Sequence, residues 1–421
     1  MRSGPTRLLI YGLNYSPELT GIGKYTGEMG PFLHRTGFDV RVVTTPPYYP
    51  EWKIAPGYRR WWYQRQEVEG VKVWRCPFYV PASPSTVKRI LHLGSFALTS
   101  FFALWRHAFW RPQVVFMVEP ASFSVPGGLL FSRIVGAKTW LHVQDFELDA
   151  MLGLGMLGDR QPGRALRLAF ATEAWFKRRF DRVSSISNTM MDRLRERGVK
   201  EERLVFFPNW VDTELLAPGV PQRDFREEWG ADEQTCVLLY SGNIGKKQGL
   251  EIVLQVAEHF ERRQSDANYA FWIVGEGAAK AELVALAESM ELQSVQFHPL
   301  QPYKDLPDLL RSVDLHLVIQ KKGAADAVLP SKLTSILSVG GHALITAEPE
   351  TELGRLPHAH PGIATVIQPE DTLMLERAVV RFFQENTEKT VNSVARSYAQ
   401  ECLRLEAILS RVGKEIQALC D

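Results

Sequence analysis

The 421-residue sequence has little cysteine, no long apolar run and almost no net charge. Cys76, Cys236, Cys402 and Cys420 lie far apart and form neither a CxxC pair nor a disulfide framework, so a reducing compartment fits best. The 49 basic and 48 acidic side chains leave a formal charge of +1, which argues against a general nucleic-acid binder. No cluster of side chains has the spacing of metal ligands, so we expect no metal.

Signals for secretion and for membrane spanning are also missing. The N-terminal apolar stretch breaks at Gly12 after about four residues, which is too short for the core of a signal peptide. Residues 90–105 are apolar but contain His92, Ser95 and Ser100, and a spanning helix needs roughly 20 residues. We therefore expect a cytoplasmic protein.

Basic and aromatic residues are concentrated between residues 51 and 112, where ten basic side chains stand against three acidic ones. Trp61, Trp62, Phe102 and Phe109 lie in this region. The mixture suits the anionic surface of a membrane, and it predicts peripheral attachment to the inner face of the plasma membrane. A buried helix with basic flanks remains the alternative.

Short apolar runs alternate with helical patterns through both halves of the chain, which predicts an α/β protein with parallel sheets. The length predicts two domains, 1–208 and 231–395, joined by a linker at 209–230 and followed by a helix at 396–421 that could cross back to the first domain. The predicted strands are 7–11, 39–44, 114–118, 139–143, 182–185 and 204–207 in the first half, and 236–241, 269–274, 295–299, 315–319, 342–346 and 365–367 in the second.

The first strand ends in GLNYSPELTGIGKYTGEMG, so a turn with Gly21 and Gly23 precedes a helix. Glycines let the backbone approach a ligand, and the free N–H groups of a helix start favour an anion. An ordinary strand-to-helix turn would give the same pattern. The loop before the glycines is about nine residues long, whereas a dinucleotide-binding fingerprint has a tight turn. This difference argues against a dehydrogenase.

The second half opens in the same way with LLYSGNIGKKQG. Gly242, Asn243 and Gly245 form the turn, and Lys246 and Lys247 add positive charge where a diphosphate would lie. A cation at this place would stabilise the charge that develops on a leaving nucleoside diphosphate. The alternative is a solvated lysine pair on a loop.

Two further segments carry candidate residues. In PSKLTSILSVGG, we expect Ser331 to cap a helix and Lys332, in the first turn, to reach a phosphate, although an exposed lysine is the simpler alternative. In HVQDFELD, Asp145, Glu147 and Asp149 follow a strand, where one of them could accept a proton from a hydroxyl group. Helix capping or solvated acids would explain Glu147 and Asp149 equally, and Asp145 less well.

The motifs form an ordered set over nearly the whole chain: the GIG loop, HVQD, VSSISN, FFPNWVD, SGNIGKKQG, IVGEG and PSKLTSILSVGG. This set resembles the retaining glycosyltransferases of family four, which have the GT-B fold of two Rossmann-like domains with a deep interdomain cleft. HVQDFELDAMLGLG and ILSVGGHALITAEPETELG resemble the subgroup of colanic acid and related exopolysaccharide synthesis, described as fucosyltransferases. The resemblance implies GDP-fucose as donor and a sugar on an undecaprenyl diphosphate carrier as acceptor.

The resemblance also implies roles for the candidate residues. Lys247 and Lys332 would hold the diphosphate while the backbone of Gly23 approaches it, and the base and ribose would lie near Gly275 and Glu276. No cofactor is implied besides the nucleotide sugar itself.

Asp145 stands where the family usually has a catalytic-site histidine, so it would orient the acceptor or the sugar. The leaving phosphate oxygen would itself take the acceptor's proton, as proposed for retaining members. Three other readings remain open: a nucleotide-sugar epimerase, a phosphorylase and a catalytically silent partner in polysaccharide assembly.

The sequence departs from the family at the donor site. The usual Arg and Lys of the glycine loop fall on Asn243 and Gln248, and the two family glutamates fall on Ala327 and Ser335. Phosphate binding must therefore be rearranged. Nearby acids that could replace the glutamates are Asp326, Glu348 and Glu352.

Overall fold

The computed structural model of the chain describes residues 4–18, 21–82, 85–120, 122–146, 164–263, 267–323, 330–386 and 390–421. The chain divides into two compact units. The first unit is Met1–Pro208 together with Glu406–Asp421, and the second is Asn209–Leu405.

One eight-stranded sheet forms the described core of the first unit. Its strands are β1 (Arg7–Tyr11), β2 (Asp39–Thr44), β3 (Gln64–Val68), β4 (Val71–Arg75), β5 (Val114–Glu119), β6 (Lys138–Val143), β7 (Arg182–Ser185) and β8 (Leu204–Phe206). Their order is β3-β4-β2-β1-β5-β6-β7-β8, and all neighbours are parallel except the β3–β4 hairpin. Every residue of β5 is buried, as expected for a central strand that is covered on both faces.

Helices connect these strands. They are α1 (Gly21–Arg35), α2 (Thr86–Trp105), α3 (Val125–Val135), α4 (Arg164–Lys177) and α5 (Asn188–Glu196). Side-chain caps start two of them: Ser85 Oγ accepts from the Lys88 amide at 3.4 Å before α2, and Ser187 Oγ accepts from the Met190 amide at 3.1 Å before α5.

The C-terminal helix (Leu405–Cys420) belongs to the first unit from Glu406 onward. Its buried face includes Val412 and Ile416. A methyl group added to Gly413 would lie 3.4 Å from a Leu33 methyl carbon and 3.6 Å from the Phe38 ring, so this helix packs against α1 and the turn after it.

The second unit has the strand order of a doubly wound nucleotide-binding fold. Its strands are β9 (Cys236–Ser241), β10 (Tyr269–Val274), β11 (Val295–His298), β12 (Leu315–Val318), β13 (Ala343–Thr346) and β14 (Thr365–Ile367). All described pairs are parallel in the order β11-β10-β9-β12-β13-β14, so the direction of winding reverses between β9 and β12. Ligands of such sheets bind outside the carboxyl ends of the strands at this reversal.

The helices of the second unit are α6 (Phe225–Glu228), α7 (Glu251–Arg262), α8 (Lys280–Ser289), α9 (Leu306–Arg311), α10 (Ser331–Ser338), α11 (Glu352–Ala359), α12 (Thr372–Glu385) and α13 (Ser393–Cys402). Residues 209–230, which the sequence suggests to be a linker, lie with this unit. Val211, Leu216 and Phe225 are fully buried in its core. The segment lacks a regular hydrophobic period because Val211 and Leu216 enter the core from irregular backbone and Phe225 from a helix of only four residues.

Candidate functional site

Two loops meet at the carboxyl edge of the second sheet. The Gly242 amide donates to Val274 O at 2.9 Å, and the Ile244 amide donates to Glu276 O at 2.8 Å, so the loops after β9 and β10 are joined. A Cβ atom on Gly275 would lie 1.9 Å from Gly242 O. Gly275 is therefore required by the contact between the two loops.

Lys332 lies against this pair of loops. Its Nζ is 3.8 Å from the centre of the Tyr240 ring, and a Cβ on Gly242 would lie 3.0 Å from that nitrogen. The Tyr240 hydroxyl donates to Asn243 O at 2.6 Å, which fixes the ring. Burial lowers the pKa of Lys332 to about 7, and among the described residues no carboxylate contributes to this shift. The structure thus brings Gly242, Asn243, Gly275 and Lys332 together.

The other two predicted lysines are arranged differently. Lys246 extends outward and pairs with Glu282 at 3.3 Å, with both side chains about 70% exposed. The Lys247 side chain is exposed, while its carbonyl accepts from the Lys321 amide at 2.9 Å. The Gly245 amide donates to Gln248 Oε1 at 3.1 Å, so the Gln248 side chain supports the loop.

The start of α10 differs from its prediction. Pro330, not Ser331, occupies the N-cap position, and no side chain caps it. Ser331 is exposed and accepts through its carbonyl from Thr334 Oγ1 at 2.8 Å and from Ser335 Oγ at 3.3 Å. The expectation that Ser331 caps this helix is wrong, because the preceding proline already sets the extended backbone at the cap.

The predicted acids near this edge have separate positions. Glu276 is exposed and pairs with Lys280 at 2.7 Å. Glu352 is half-buried in the first turn of α11, whose cap is Thr351. Glu348 accepts from the Gly323 amide at 2.9 Å. Asp326 and Ala327 lie outside the described residues.

The glycine turn of the first unit holds a buried carboxylate that sequence reasoning missed. Gly21 begins α1 with a φ of 58°, and a Cβ on Gly23 would lie 2.5 Å from Glu18 Oε2. Glu18 is 6% exposed and accepts from the Tyr48 amide at 3.0 Å. Further donors are the Tyr49 amide at 3.2 Å and Asn14 Nδ2 at 2.8 Å. Burial raises the pKa of Glu18, and Gly23 leaves the space that its carboxylate needs.

Arg75 supports the same turn through hydrogen bonds to backbone carbonyl groups, and the sequence analysis did not predict this role. It is fully buried at the end of β4, donates to Thr45 O at 2.7 Å and also donates to Ser16 O. Its guanidinium lies 4.9 Å from the Tyr58 ring centre. Arg75 occupies the position that continues the buried alternation of Val71 and Val73, and this is the one sequence signal that could have indicated its role.

Asp145 is exposed two residues after β6. His142 is buried on β6 itself, and its Nδ1 lies 2.9 Å from Ser184 Oγ. Burial lowers the pKa of His142 to about 3, so its imidazole is neutral. Glu147 and Asp149 lie outside the described residues. In the part of the chain that the structure describes, no group of three or more His, Cys, Asp or Glu side chains could hold a metal ion.

An apolar surface runs along the outer sides of α2 and α3, and we call it the α2–α3 surface. The segment Val87–Trp105 is long and apolar enough to cross a membrane by length and composition, a test that core helices also pass, and 33% of it is buried. Phe101 and Trp105 pack on α3, at 3.0 Å from a Cβ on Gly127 and 5.8 Å from the Phe131 ring centre. The exposed apolar side chains of this surface are Val87, Leu91, Leu98, Phe102, Leu130 and Ile134.

Comparisons with known proteins identify relatives over nearly the whole chain. A model described as "Glycosyl transferase 4-like domain" matches residues 20–210, and one described as "Glycosyl transferases group 1" matches residues 221–389. The Escherichia coli (strain K12) protein WcaI, assigned as a colanic acid biosynthesis glycosyl transferase, is 47% identical over 98% of this chain and 100% of its own.

Solved structures share the fold at low sequence identity. Sucrose-phosphate synthase from Thermosynechococcus elongatus has a TM-score of 0.75 and 15% identity, covering 98% of this chain and 99% of its own. HepE of Anabaena in complex with UDP-glucose has a TM-score of 0.65 and 12% identity, with the same two coverages.

Proposed function

The chain belongs to the glycosyltransferases that combine a glycosyl transferase 4-like domain with a group 1 domain, and we propose that it transfers a sugar from GDP-fucose to a lipid-linked oligosaccharide in exopolysaccharide synthesis. The family resemblance predicted from sequence is confirmed. The α/β class with two Rossmann-like units of the GT-B fold is confirmed as well. A glycosyltransferase activity follows from the family, and the donor, acceptor and stereochemistry below are proposals.

The position of Lys332 is the observation that carries the donor site. Its amine lies beside Gly242 and on the Tyr240 ring, at the edge where doubly wound sheets bind nucleotides. A diphosphate placed there would meet this amine and the backbone N–H groups of the joined loops. Lys247, exposed on the same loop, could reach the outer phosphate. These groups supply positive charge without a metal, so we propose metal-independent transfer.

The proposed reaction retains the anomeric configuration. The bond between the anomeric carbon and the diphosphate oxygen breaks while a bond to the acceptor oxygen forms on the same face of the sugar. The acceptor's proton passes to the leaving phosphate oxygen, and Lys332 with the loop N–H groups stabilises the resulting nucleoside diphosphate. Asp145 would orient the acceptor hydroxyl on the first unit.

The choice of GDP-fucose and of an exopolysaccharide rests on relatives. The similar protein WcaI is assigned to colanic acid biosynthesis, and the motifs HVQDFELDAMLGLG and ILSVGGHALITAEPETELG resemble that subgroup. HepE was solved with UDP-glucose, which supports a nucleotide sugar as the donor class.

The α2–α3 surface supports a lipid-linked acceptor. Residues 85–111 and 122–138 contain no acidic side chain, whereas basic ones occur at both ends of α2 and at the end of α3. An exposed apolar strip with a basic border matches the interface of an anionic membrane. We propose that the chain attaches there, on the cytoplasmic leaflet, where an undecaprenyl diphosphate carrier presents the acceptor sugar.

The test is a ligand screen followed by product analysis. GDP-fucose should raise the melting temperature more than GDP-mannose, UDP-glucose or free UDP, since a ligand that binds only the folded state stabilises it. With a lipid-linked acceptor, NMR of the product should show the donor's anomeric configuration, and EDTA should not change the rate. Stabilisation by a UDP-sugar alone, or an inverted product, would overturn the respective part of the proposal. Incubation without acceptor reveals an epimerase by the appearance of an isomer.

A further inference from the structure

A buried ion cluster lies below the carboxyl edge of the first sheet, and we call it the Lys177 cluster. Lys177 Nζ is 3.0 Å from Glu119 Oε2 and 2.9 Å from Glu173 Oε1. Arg197 Nη1 is 2.7 Å from Glu173 Oε2. The cluster joins the end of β5, helix α4 and the residue after α5.

The cluster is balanced in charge and hidden from solvent. Two carboxylates face two cations, and the Lys177 side chain is 1% exposed. Buried ion pairs of this kind add little net stability compared with apolar packing, because both charges must be desolvated. What they do provide is a fixed geometry, since breaking one partner leaves an uncompensated charge. None of the three innermost side chains, Glu119, Glu173 and Lys177, can reach a substrate in solvent.

The ring of Phe146 completes the cluster. It lies 4.6 Å from Lys177 Nζ and 4.3 Å from Arg197 Cζ, so two cations face one ring. Phe146 is 3% exposed, whereas its neighbour Asp145 is exposed. The backbone that carries Asp145 is thus anchored on one side by β6 and on the other by the Phe146 ring.

We propose that the Lys177 cluster positions Asp145 for the acceptor by holding Phe146, so that Phe146 and Lys177 are positioning residues of the transfer reaction. This inference rests on the proposed function in assigning Asp145 to the acceptor. It adds that the position of the Asp145 carboxylate is fixed by buried charges that do not contact the substrate.

The first experiment compares Phe146→Leu with Phe131→Leu. Both rings are buried in the first unit, but Phe131 packs on Trp105 and lies outside the cluster. Phe146→Leu should lower kcat/KM for the acceptor about tenfold, because a displaced catalytic group loses rate steeply, and should leave the donor Kd unchanged. Equal acceptor kinetics in the two variants, measured below their melting temperatures, would overturn the proposal.

The second experiment repeats Phe146→Leu in an Asp145→Ala background. If the ring acts through Asp145, the second substitution should have no further effect on kcat/KM. A full tenfold loss in that background would show that Phe146 acts on something else, and the inference would fail.

A third variant separates charge from folding. The double substitution Glu119→Gln with Lys177→Met removes one charge of each sign and leaves the Arg197–Glu173 pair intact. It should fold, yet lower the acceptor kcat/KM as Phe146→Leu does, whereas a purely structural cluster predicts unchanged kinetics.

Hydrogen–deuterium exchange provides a readout that needs no substrate. The peptide that contains residues 142–146 should exchange faster in Phe146→Leu and in the charge-balanced double variant, and at the wild-type rate in Phe131→Leu. Unchanged exchange would overturn the inference even if the donor sugar were another one. A wrong donor in the ligand screen would overturn the proposed function and leave this comparison intact.

Discussion

Among the individual residues, Lys332 is the cation on which the proposed donor site depends. Gln248 supports the glycine loop by accepting a hydrogen bond from the Gly245 amide. The amine of Lys332, on α10, lies on the Tyr240 ring and would supply the positive charge that the proposal requires. Because that amine is buried, its charge depends on what binds beside it.

We predict that donor affinity falls as the pH rises above neutral. The pKa of Lys332 is lowered to about 7 in the unliganded chain by burial, and a bound diphosphate would raise it again, because opposite charges favour the protonated form. Between these two values, binding must take up a proton, so the affinity should fall by up to about tenfold per pH unit. Calorimetric titration with GDP-fucose from about pH 6 to about pH 9 brackets the Lys332 pKa of about 7 and measures how the donor affinity changes with pH.

The control for this prediction is the Lys332→Ala variant. Its affinity should lose the pH dependence, and its turnover should fall by about a hundredfold because a charge that stabilises the leaving group is removed. Lys247→Ala should also slow transfer, whereas Lys200→Ala, at an exposed surface pair, should not. Wild-type rates in both Lys247→Ala and Lys332→Ala would show that neither lysine holds the diphosphate.

The sequence allowed us to predict the glycine turns and helix starts of the site. It did not allow us to predict the buried side chains that hydrogen-bond to distant backbone groups. Gly242 and Lys332 were predicted from turn and helix signals, and the structure brings them together. Glu18 and Arg75 were missed, because their role depends on amides and carbonyls that are distant in sequence and converge only in the folded sheet. The cap of α10 was misassigned, since both Pro330 and Ser331 suit a helix start.

At the level of secondary structure, all twelve predicted strands occur in the described residues, with ends that agree within one residue. Their apolar runs are recognisable because parallel strands are buried on both faces. The β3–β4 hairpin was not predicted. Its first strand, QRQEV, is polar except for Val68, and its second, VKVWR, buries only alternate residues, so neither has the apolar run of a central strand. Its turn, Glu69–Gly70, has positive φ at both positions.

The α2–α3 surface yields a prediction about membranes. We expect the chain to co-sediment with vesicles that contain anionic phosphatidylglycerol, and less with neutral vesicles or at high salt. Leu98→Gln combined with Phe102→Gln should weaken this binding several-fold without unfolding the chain, because both side chains are more than 60% exposed.

The matched control places two substitutions of exposed apolar side chains by glutamine in the second unit. Leu373→Gln with Val391→Gln changes two side chains that are each 53% exposed, and vesicle binding should remain at the wild-type level. If both double variants sediment alike, α2 contributes only to the core of its own unit.

Considering the chain as a whole, both units use one topological plan, with strands wound outward in both directions from a central pair. That plan follows from alternating strands and helices, which is why the class could be predicted from periodicity. The boundaries between the two units could not be predicted from periodicity. Residues 209–230 contribute core side chains to the second unit instead of forming a separate linker. Residues 406–421 belong to the first unit.

The C-terminal helix should therefore stabilise the first unit. Ile416 is fully buried, and Ile416→Ala should lower the free energy of unfolding of that unit by about 2–5 kcal/mol. Lys414→Ala, on the exposed side of the same helix, should have little effect. Hydrogen exchange resolved by peptide should show lost protection around α1 and retained protection in β9 and β10, and a uniform loss in both units would contradict this assignment.

The return of residues 406–421 to the first unit has a consequence for biosynthesis. Residues 1–208 cannot complete their unit until residues 406–421 have been translated, whereas residues 209–405 form a unit without that segment. A deletion of residues 406–421 would consequently damage the unit built from residues that lie far earlier in the chain.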